Sequence, residues 1–133
     1  MEQVVERQPP FILNEHGDVE VFDSEVELLS YVESIDILNK EYEVWDSSGR
    51  KFGLRADPKM LTDGPLQELE LEALLRRYAR YLYGNGYVSH EPLSKTSIKD
   101  LIDFICHFQR TRVGYKEHFF VRIKKMFGKI FRK

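Results

Sequence analysis

Residues 11–29, FILNEHGDVEVFDSEVELL, contain the local signals that decide how the chain begins to fold. Residues 11–14 are mostly apolar and predict a strand, and residues 19–22 alternate apolar and acidic side chains as half-buried strands do. Residues 15–18 between them are typical of a tight turn, because Gly17 can adopt a positive φ angle. Two strands joined in this way predict a β-hairpin.

A helix is predicted directly after this hairpin. Ser24 is followed three residues later by Glu27, and this pair is a capping box of the kind with which helices begin. The apolar stripe of the predicted helix consists of Leu28, Leu29, Val32 and Ile35. Residues 35–38 favour an extended conformation, so we expect one short helix before the chain returns to the sheet.

A second hairpin is predicted after the helix. Residues 41–45 alternate polar and apolar side chains, residues 46–49 carry a turn signal, and residues 50–55 alternate again. Residues 11–56 therefore predict a β-β-α-β-β unit, in which an antiparallel sheet packs one face against the helix. Residues 1–10 are polar and end in two prolines, so we expect them to form a mobile arm.

The second half of the chain is expected to be helical. Residues 57–65 contain two prolines and a glycine and are predicted to be a linker. Apolar residues then recur at helical spacing in three segments, over residues 66–83, 98–108 and 116–133.

The ends of the first two predicted helices carry their own signals. Residues 84–86, Gly-Asn-Gly, predict where the first helix ends, and Ser97 with Asp100 predicts where the second begins. We therefore predict an α+β fold over residues 11–133 as a single domain, in which residues 64–133 supply three helices after the β-β-α-β-β unit.

Composition excludes several classes of protein. Of the 133 residues, 42% are hydrophobic and 32% are charged, so the chain has enough apolar material for a core. A single cysteine excludes an intramolecular disulfide and metal sites built from several cysteines. No apolar run approaches the roughly 18 residues that span a bilayer, and the first residues lack the features of a signal peptide. We therefore expect a cytoplasmic protein.

Catalytic and cofactor-binding patterns are not found in the sequence. It contains no G-x-G-x-x-G, Walker, H-E-x-x-H or G-x-S-x-G motif. Cys106 and His107 are adjacent on a predicted helix, so their side chains diverge by about 100° and are poorly placed to act together. A dyad of Cys106 with His90 or His118 is left open. We expect a protein without catalytic residues, bound metal or cofactor.

Charge is divided unevenly along the chain. Residues 1–63 hold fifteen acids and six bases, whereas residues 110–133 hold one acid and nine bases. A concentrated acidic surface favours a basic partner. The acids that we expect to be exposed and to bind such a partner are Glu20, Glu41, Glu43 and Asp46. Trp45 is either an exposed anchor among them or, if helices cover that face of the sheet, part of the core.

The basic C-terminal segment leaves several interpretations open. Residues 115–133 combine a phenylalanine-rich apolar stripe with many lysines and arginines. Such a segment packs on its own protein, lies on an anionic membrane, binds nucleic acid, or binds a protein partner. Internal packing is favoured and membrane contact is second, while nucleic acid is not an expected partner because the whole chain has a net charge of −2. The oligomeric state is also open, since an exposed sheet edge would support a homodimer.

Several features of residues 11–55 recur together in a known kind of sequence. They are the hairpin turn at Gly17-Asp18, the strand-to-helix join at residues 21–24, Ile35-Asp36 after the helix, and Glu41-Tyr42 leading to Asp46 and Gly49-Arg50. In this pattern of turns and caps the segment resembles the opening of small bacterial immunity proteins of polymorphic toxin systems, of the Rhs or contact-dependent inhibition type. The resemblance implies a protein that binds one cognate toxin domain and blocks it, with no activity of its own.

Two functional hypotheses follow. The first is a cytoplasmic immunity protein whose acidic first half neutralises a basic toxin domain. The alternative is a peripheral membrane or regulatory binding protein that uses the basic amphipathic segment of residues 115–133.

Overall fold

The computed structural model of the chain describes residues 6–93 and 95–111. In chain order its elements are β1 (Phe11–Glu15), β2 (Asp18–Phe22), α1 (Glu25–Tyr31), α2 (Ser34–Leu38), β3 (Tyr42–Asp46), β4 (Lys51–Ala56), β5 (Lys59–Thr62), α3 (Glu68–Gly84) and α4 (Ile98–Thr111). The strands form one antiparallel sheet in the order β2-β1-β3-β4-β5. The fold is therefore α+β as predicted, but the predicted order of elements is wrong, because two helices separate β2 from β3 and a fifth strand follows β4.

Both predicted hairpins are present. β1 and β2 pair along their whole length, and the turn between them places Gly17 at a φ of +96°. Asn14 Oδ1 accepts a 2.8 Å hydrogen bond from the Gly17 N–H, which stabilises the turn. β3 and β4 form the second hairpin, with Trp45 opposite Lys51. The local turn signals in the sequence were therefore sufficient to locate both hairpins.

The helix predicted after the first hairpin begins as expected and ends early. Ser24 Oγ accepts a 3.1 Å hydrogen bond from the Glu27 N–H at the beginning of α1. Val32 is extended, and α2 then forms over residues that were predicted to be extended, so that prediction is wrong. The single turn of α2 buries Ile37 against the sheet. An apolar run this short does not distinguish helix from strand.

The predicted linker, residues 57–65, contains a strand. β5 pairs with β4 and places Leu61, which is fully buried, opposite Leu54. The two prolines lie outside the strand, Pro58 in the turn before it and Pro65 after it, so neither removes a donor from the β4–β5 ladder. The prediction of a linker is wrong, because these prolines mark the ends of a strand rather than unstructured chain.

Each face of the sheet has its own core. The short-helix core lies under α1 and α2, and its buried residues are Phe11, Leu13, Phe22, Leu28, Tyr31, Val32, Ile37, Val44, Phe52 and Leu61. The long-helix core lies under α3 and α4, and its buried residues are Ile12, Val19, Val21, Trp45, Leu71, Leu74, Leu75, Tyr78, Ala79, Leu82, Leu101, Ile102, Ile105 and Phe108. Neighbours along a strand enter different cores, because successive side chains point to opposite faces.

The end of α3 and the beginning of α4 lie where the sequence predicted them. Asn85 caps α3, and Gly86 follows it with a φ of +76°. At the beginning of α4, Ser97 Oγ accepts a 3.1 Å hydrogen bond from the Asp100 N–H. The third predicted helix, over residues 116–133, lies outside the described residues. Among the described helices, none combines the length and the apolar character that crossing a membrane requires.

Candidate partner-binding surface

Trp45 belongs to the long-helix core. Its side chain is 1% exposed, because α3 and α4 cover the face of β3 to which it points. Lys51 Nζ lies 5.1 Å from the ring centroid, which is a cation–π contact at the margin of this core. The indole N–H is buried and has no hydrogen-bond partner among the described residues. Of the two interpretations that the sequence left open, the core interpretation is confirmed and the exposed anchor is wrong.

Asp46 is fully buried, and its carboxylate organises the turn of the second hairpin. Oδ1 accepts hydrogen bonds of 2.6–3.2 Å from the Ser48 hydroxyl and from the N–H groups of Ser48 and Arg50. Oδ2 accepts a 3.0 Å hydrogen bond from the Gln8 N–H, and the Ser47 hydroxyl donates to Gln8 O. The prediction that Asp46 is an exposed acid is wrong, because the residues before β1 fold over this turn.

Glu20 lies on the edge strand β2 and is also buried, at 7% exposure. Gln109 of α4 reaches this edge: its Nε2 donates to Val19 O at 3.1 Å and to Glu20 Oε2 at 3.2 Å. Gln109 Oε1 accepts a 3.3 Å hydrogen bond from the Val21 N–H. The amide of Gln109 thus bonds to β2 as a neighbouring strand would, and it protects the edge from pairing with another chain. The prediction that Glu20 is an exposed acid is therefore wrong.

Glu43 is partly exposed and already engaged within the protein. Its carboxylate accepts hydrogen bonds from Asn14 Nδ2 at 2.9 Å and from Lys51 Nζ at 2.8 Å. Lys51 also pairs with Glu70 of α3, so the group ties the sheet to the beginning of a long helix. The hydrogen bond from Lys51 is the main reason that the pKa of Glu43 is lowered, while partial burial acts in the opposite direction.

Glu41 lies close to two acids that were not among the predicted partner-binding residues. The carboxylates of Glu15, Asp36 and Glu41 have oxygen atoms that all lie within 4.8 Å of one another, and we call these residues the acidic cluster. All three side chains are partly exposed. The Tyr42 hydroxyl donates a 3.2 Å hydrogen bond to Asp36, and His16 Nε2 lies 3.6 Å from Glu41 Oε1.

The acidic cluster depends on the tertiary structure. Glu15 ends β1, Asp36 belongs to α2, and Glu41 precedes β3, so three elements bring the carboxylates together. The sequence did not predict the cluster, because Asp36 was placed in an extended segment. Carboxylate oxygens suit hard cations such as Mg²⁺ or Ca²⁺, and they equally suit the lysine and arginine side chains of a protein partner.

The residues considered for catalysis lie at the other side of the sheet. Cys106 packs against the long-helix core, and burial raises the pKa of its thiol. A thiol with a raised pKa is mostly protonated at neutral pH and is a weaker nucleophile. His90 and His107 line a groove of about 490 Å³ together with Phe104. His118, the other partner considered for Cys106, lies outside the described residues.

Comparison with known proteins found no match to this chain among family models, curated proteins or solved structures. Two surfaces of the described residues stand out on physical grounds. One is the acidic cluster, and the other is the aromatic surface around the end of α3, beside the groove of His90 and His107.

Proposed function

We propose that the chain is a cytoplasmic immunity protein that binds a cognate bacterial toxin domain and neutralises it without catalysis. The observation that carries the proposal is the acidic cluster, in which three partly exposed carboxylates converge at one place on the surface. The resemblance of residues 11–55 to immunity proteins supports it, since the hairpin turn and helix cap in that pattern are local structures that this chain forms.

The physical basis is charge complementarity. Carboxylates as close as those of Glu15, Asp36 and Glu41 repel one another, and a basic side chain of a partner would relieve that repulsion. Toxins that act on nucleic acids need basic surfaces to hold phosphates, and an acidic inhibitor can occupy such a surface. Association of this kind is fast and sensitive to salt.

The first test identifies the partner and its toxicity together. The chain, tagged at its N-terminus, is captured from its native cells, and the proteins recovered in stoichiometric amounts are identified by mass spectrometry. Each domain of a recovered protein is then expressed alone and with this chain. We expect one domain to stop growth alone and to be harmless in the presence of the chain. If no recovered domain is toxic, or if toxicity persists on co-expression, the proposal is wrong.

The second test asks whether the acidic cluster supplies the negative charge that attracts the toxin domain. A variant that combines Glu15→Gln, Asp36→Asn and Glu41→Gln should associate with the toxin domain about tenfold more slowly at low salt, because electrostatic steering is reduced. The matched control removes the same charge elsewhere, at the exposed residues Asp57, Glu68 and Asp100. Equal association rates for the two variants would show that the negative charge of the acidic cluster does not steer binding to the toxin domain.

A second candidate function is peripheral membrane binding or regulation through residues 115–133. The observation that favours it is the sequence itself, which has seven lysines and arginines and one acid around a phenylalanine-rich stripe. The full chain should float with vesicles that contain phosphatidylserine, and less so when Lys124, Lys125 and Lys129 are changed to glutamine. Flotation that is insensitive to salt and to these substitutions would contradict this candidate.

A further inference from the structure

One face of α3 is exposed along most of its length. Leu69, Ala73 and Arg80 lie within about 40° of one another around this helix, because each residue of an α-helix advances by about 100°. All three are exposed, and Leu69 is 83% exposed. A groove of about 440 Å³ follows the same face, and it is lined by Leu69, Glu72, Ala73, Arg76, Arg77 and Arg80. We call these six residues the outer face of α3.

The outer face combines exposed apolar side chains with a small residue. The buried apolar residues of α3 belong to the long-helix core, and Leu69 is not among them. Leu93 adds a second leucine that is 79% exposed, and the Arg76 guanidinium holds this loop by donating to Leu93 O at 3.4 Å and to Thr96 O at 2.6 Å. Ala73 lets another helix approach closely, because the distance between packed helices depends on the side chains at the contact.

The charges of α3 are separated along the helix. Its acids all lie within its first five residues, and its bases all follow them: the acids are Glu68, Glu70 and Glu72, and the bases are Arg76, Arg77 and Arg80. When two such helices lie antiparallel, the acidic half of each one is beside the arginine-rich half of the other. A two-fold contact of this kind uses the same surface on both copies, so the outer face is complementary to itself.

The three arginines differ in how far their charge is met within the protein. Arg76 pairs with Glu72 at 2.8 Å. Arg80 Nε lies 4.0 Å from Glu91 Oε1, and the Arg80 side chain is 67% exposed. Arg77 is exposed and forms no ion pair with the acids of residues 6–93 and 95–111. This positive charge disfavours a basic toxin surface, and equally the chain's own basic residues 115–133, as the occupant of the outer face.

The acids at the beginning of α3 can accept further hydrogen bonds. Glu70 pairs with Lys51 through Oε1, and its side chain is 43% exposed. Glu72 pairs with Arg76 through Oε1, and its side chain is 34% exposed. A carboxylate has two oxygen atoms with about four acceptor sites, so each acid can also receive an arginine from outside the chain. The same acids would repel the phosphates of a nucleic acid.

We propose that the outer face of α3 binds a second copy of this chain, in an antiparallel two-fold pair of α3 helices. In this pair Arg77 meets the partner's Glu70, and Leu69 packs on the aliphatic stem of the partner's Arg80. Ala73 lies near the two-fold axis. The whole chain has a net charge of −2, so long-range repulsion between copies is small. This inference does not rest on the proposed function.

The size of the helix sets the expected strength of the contact. α3 has seventeen residues and is about 25 Å long, so one helix pair buries an area at the low end of specific interfaces. We therefore expect a reversible dimer with a dissociation constant on the order of tens of micromolar. Asp36 of the acidic cluster belongs to α2, which packs on the other face of the sheet, so the two binding surfaces lie on different sides of the protein.

The experiment is sedimentation velocity of the full-length protein from about 1 μM to about 1 mM, a range that spans the expected dissociation constant. The mean sedimentation coefficient should rise from that of a monomer toward that of a dimer. Leu69→Ala should raise the dissociation constant about fivefold, because apolar burial is lost. Arg77→Glu should raise it about tenfold, because it places like charges beside each other at two symmetric positions.

Matched controls exist on other helices. Leu38 of α2 is 71% exposed, so Leu38→Ala removes the same side chain from a surface outside the proposed contact. Lys99 of α4 is exposed, so Lys99→Glu makes the same change of charge as Arg77→Glu. Both controls should dimerise as the wild type does. Circular dichroism verifies that all four variants are folded, as expected for changes at exposed residues.

Cysteine cross-linking tests the antiparallel orientation. In a Cys106→Ser background, proteins with Leu69→Cys and with Arg80→Cys are mixed in equal amounts and oxidised gently. An antiparallel pair brings position 69 of one copy close to position 80 of the other, so the mixed disulfide should predominate. A parallel pair would instead link each variant to itself, and that result would overturn the proposed geometry.

The remaining outcomes also decide the proposal. A wild-type protein that stays monomeric over the whole concentration range would show that it is wrong. A dimer that Leu69→Ala and Arg77→Glu weaken no more than their controls would place the contact elsewhere, for example at a sheet edge, and would also overturn it. The toxin capture does not depend on these measurements, so either proposal can fail without the other.

Discussion

The two faces of the sheet are covered by helices of very different length. The face that carries Leu13 and Val44 packs against α1 and α2, which have seven and five residues. The face that carries Ile12 and Trp45 packs against α3 and α4, which have seventeen and fourteen residues. Helices shorter than about 12 residues are marginal by themselves in water. The short helices therefore depend on the sheet, whereas the long helices also stabilise one another.

Side-chain hydrogen bonds also connect the short helices to the sheet on which they depend. Ser34 Oγ donates a 3.0 Å hydrogen bond to Ala56 O, and Lys59 Nζ donates one of 3.1 Å to Val32 O. Both bonds tie the region of α1 and α2 to the β4–β5 hairpin. We infer that the long-helix core contributes more to global stability and that the short-helix side opens more readily.

The largest effect is expected from Trp45→Ala, which removes the bulkiest side chain of the long-helix core. The free energy of unfolding should fall by about 3–5 kcal/mol, the usual cost of truncating a buried aromatic residue. Trp45→Phe should cost far less, since the indole N–H has no hydrogen-bond partner among the described residues to lose. Urea unfolding monitored by circular dichroism measures both. A loss below about 1 kcal/mol for Trp45→Ala would contradict its place in the core.

A matched pair of leucines compares the two cores directly. Leu75 of α3 and Leu28 of α1 are both fully buried. Each change to alanine should cost about 2–5 kcal/mol, with the larger loss for Leu75→Ala because short helices relax more easily around a cavity. The same urea titrations provide the values. A larger loss for Leu28→Ala would reverse our ranking of the two cores.

Asp46→Ala should affect both faces, because Asp46 organises the turn between β3 and β4. We expect a loss of about 2–3 kcal/mol, since a buried charged acceptor of several hydrogen bonds is removed. Ser48→Ala is the control and should cost about 0.5–1.5 kcal/mol, because it removes one donor. Thermal unfolding of the two variants side by side gives the ranking, and a neutral Asp46→Ala would refute a structural role for this acid.

Gln109→Leu removes the contact between α4 and the edge strand β2. The change removes the hydrogen bonds to Val19 and Val21 and should cost about 1–2 kcal/mol. It also leaves β2 with an open edge, so we expect association that increases with protein concentration. Size-exclusion chromatography detects it. A variant that stays at the wild-type elution volume at high concentration would show that Gln109 does not protect this edge.

The smallest expected effect is on how the stability of the protein changes with pH. Because the folded-state pKa of Glu43 is lowered, its contribution to stability is complete above the ordinary glutamate pKa of about 4.3 and is lost as pH falls through the lower folded value. Wild-type stability should therefore decline in acid more steeply than that of Glu43→Gln. Thermal melts from neutral pH downward test this, and parallel pH profiles for the two proteins would contradict it.

The features that the sequence predicted correctly depend on neighbouring residues. The turn at Gly17 and the helix caps at Ser24 and Ser97 each use a hydrogen bond between residues three positions apart. The acids whose burial it missed are held by distant partners. Gln109 is 89 residues from Glu20, and Asp46 is 38 residues from Gln8. Local patterns cannot indicate which acidic side chains such contacts will bury.

The difference between local and long-range contacts also explains why the observed site differs from the predicted one. The sequence predicted a line of exposed acids along two strands, but the long helices cover one face and the chain before β1 covers Asp46. Glu41 remains partly exposed and meets Glu15 and Asp36, a neighbourhood that exists only because α2 is helical and packs beside the sheet.

By itself the sequence determined the α+β class, both hairpins, the end of α3 and the beginning of α4. Periodicity, turn residues and caps depend on interactions between residues a few positions apart. They can therefore favour a local structure before the chain becomes compact. Only the tertiary structure decided that both faces are buried, that β5 joins the sheet, and which acids stay at the surface. These outcomes require segments far apart in the chain to compete for the same apolar surface and the same hydrogen-bond donors.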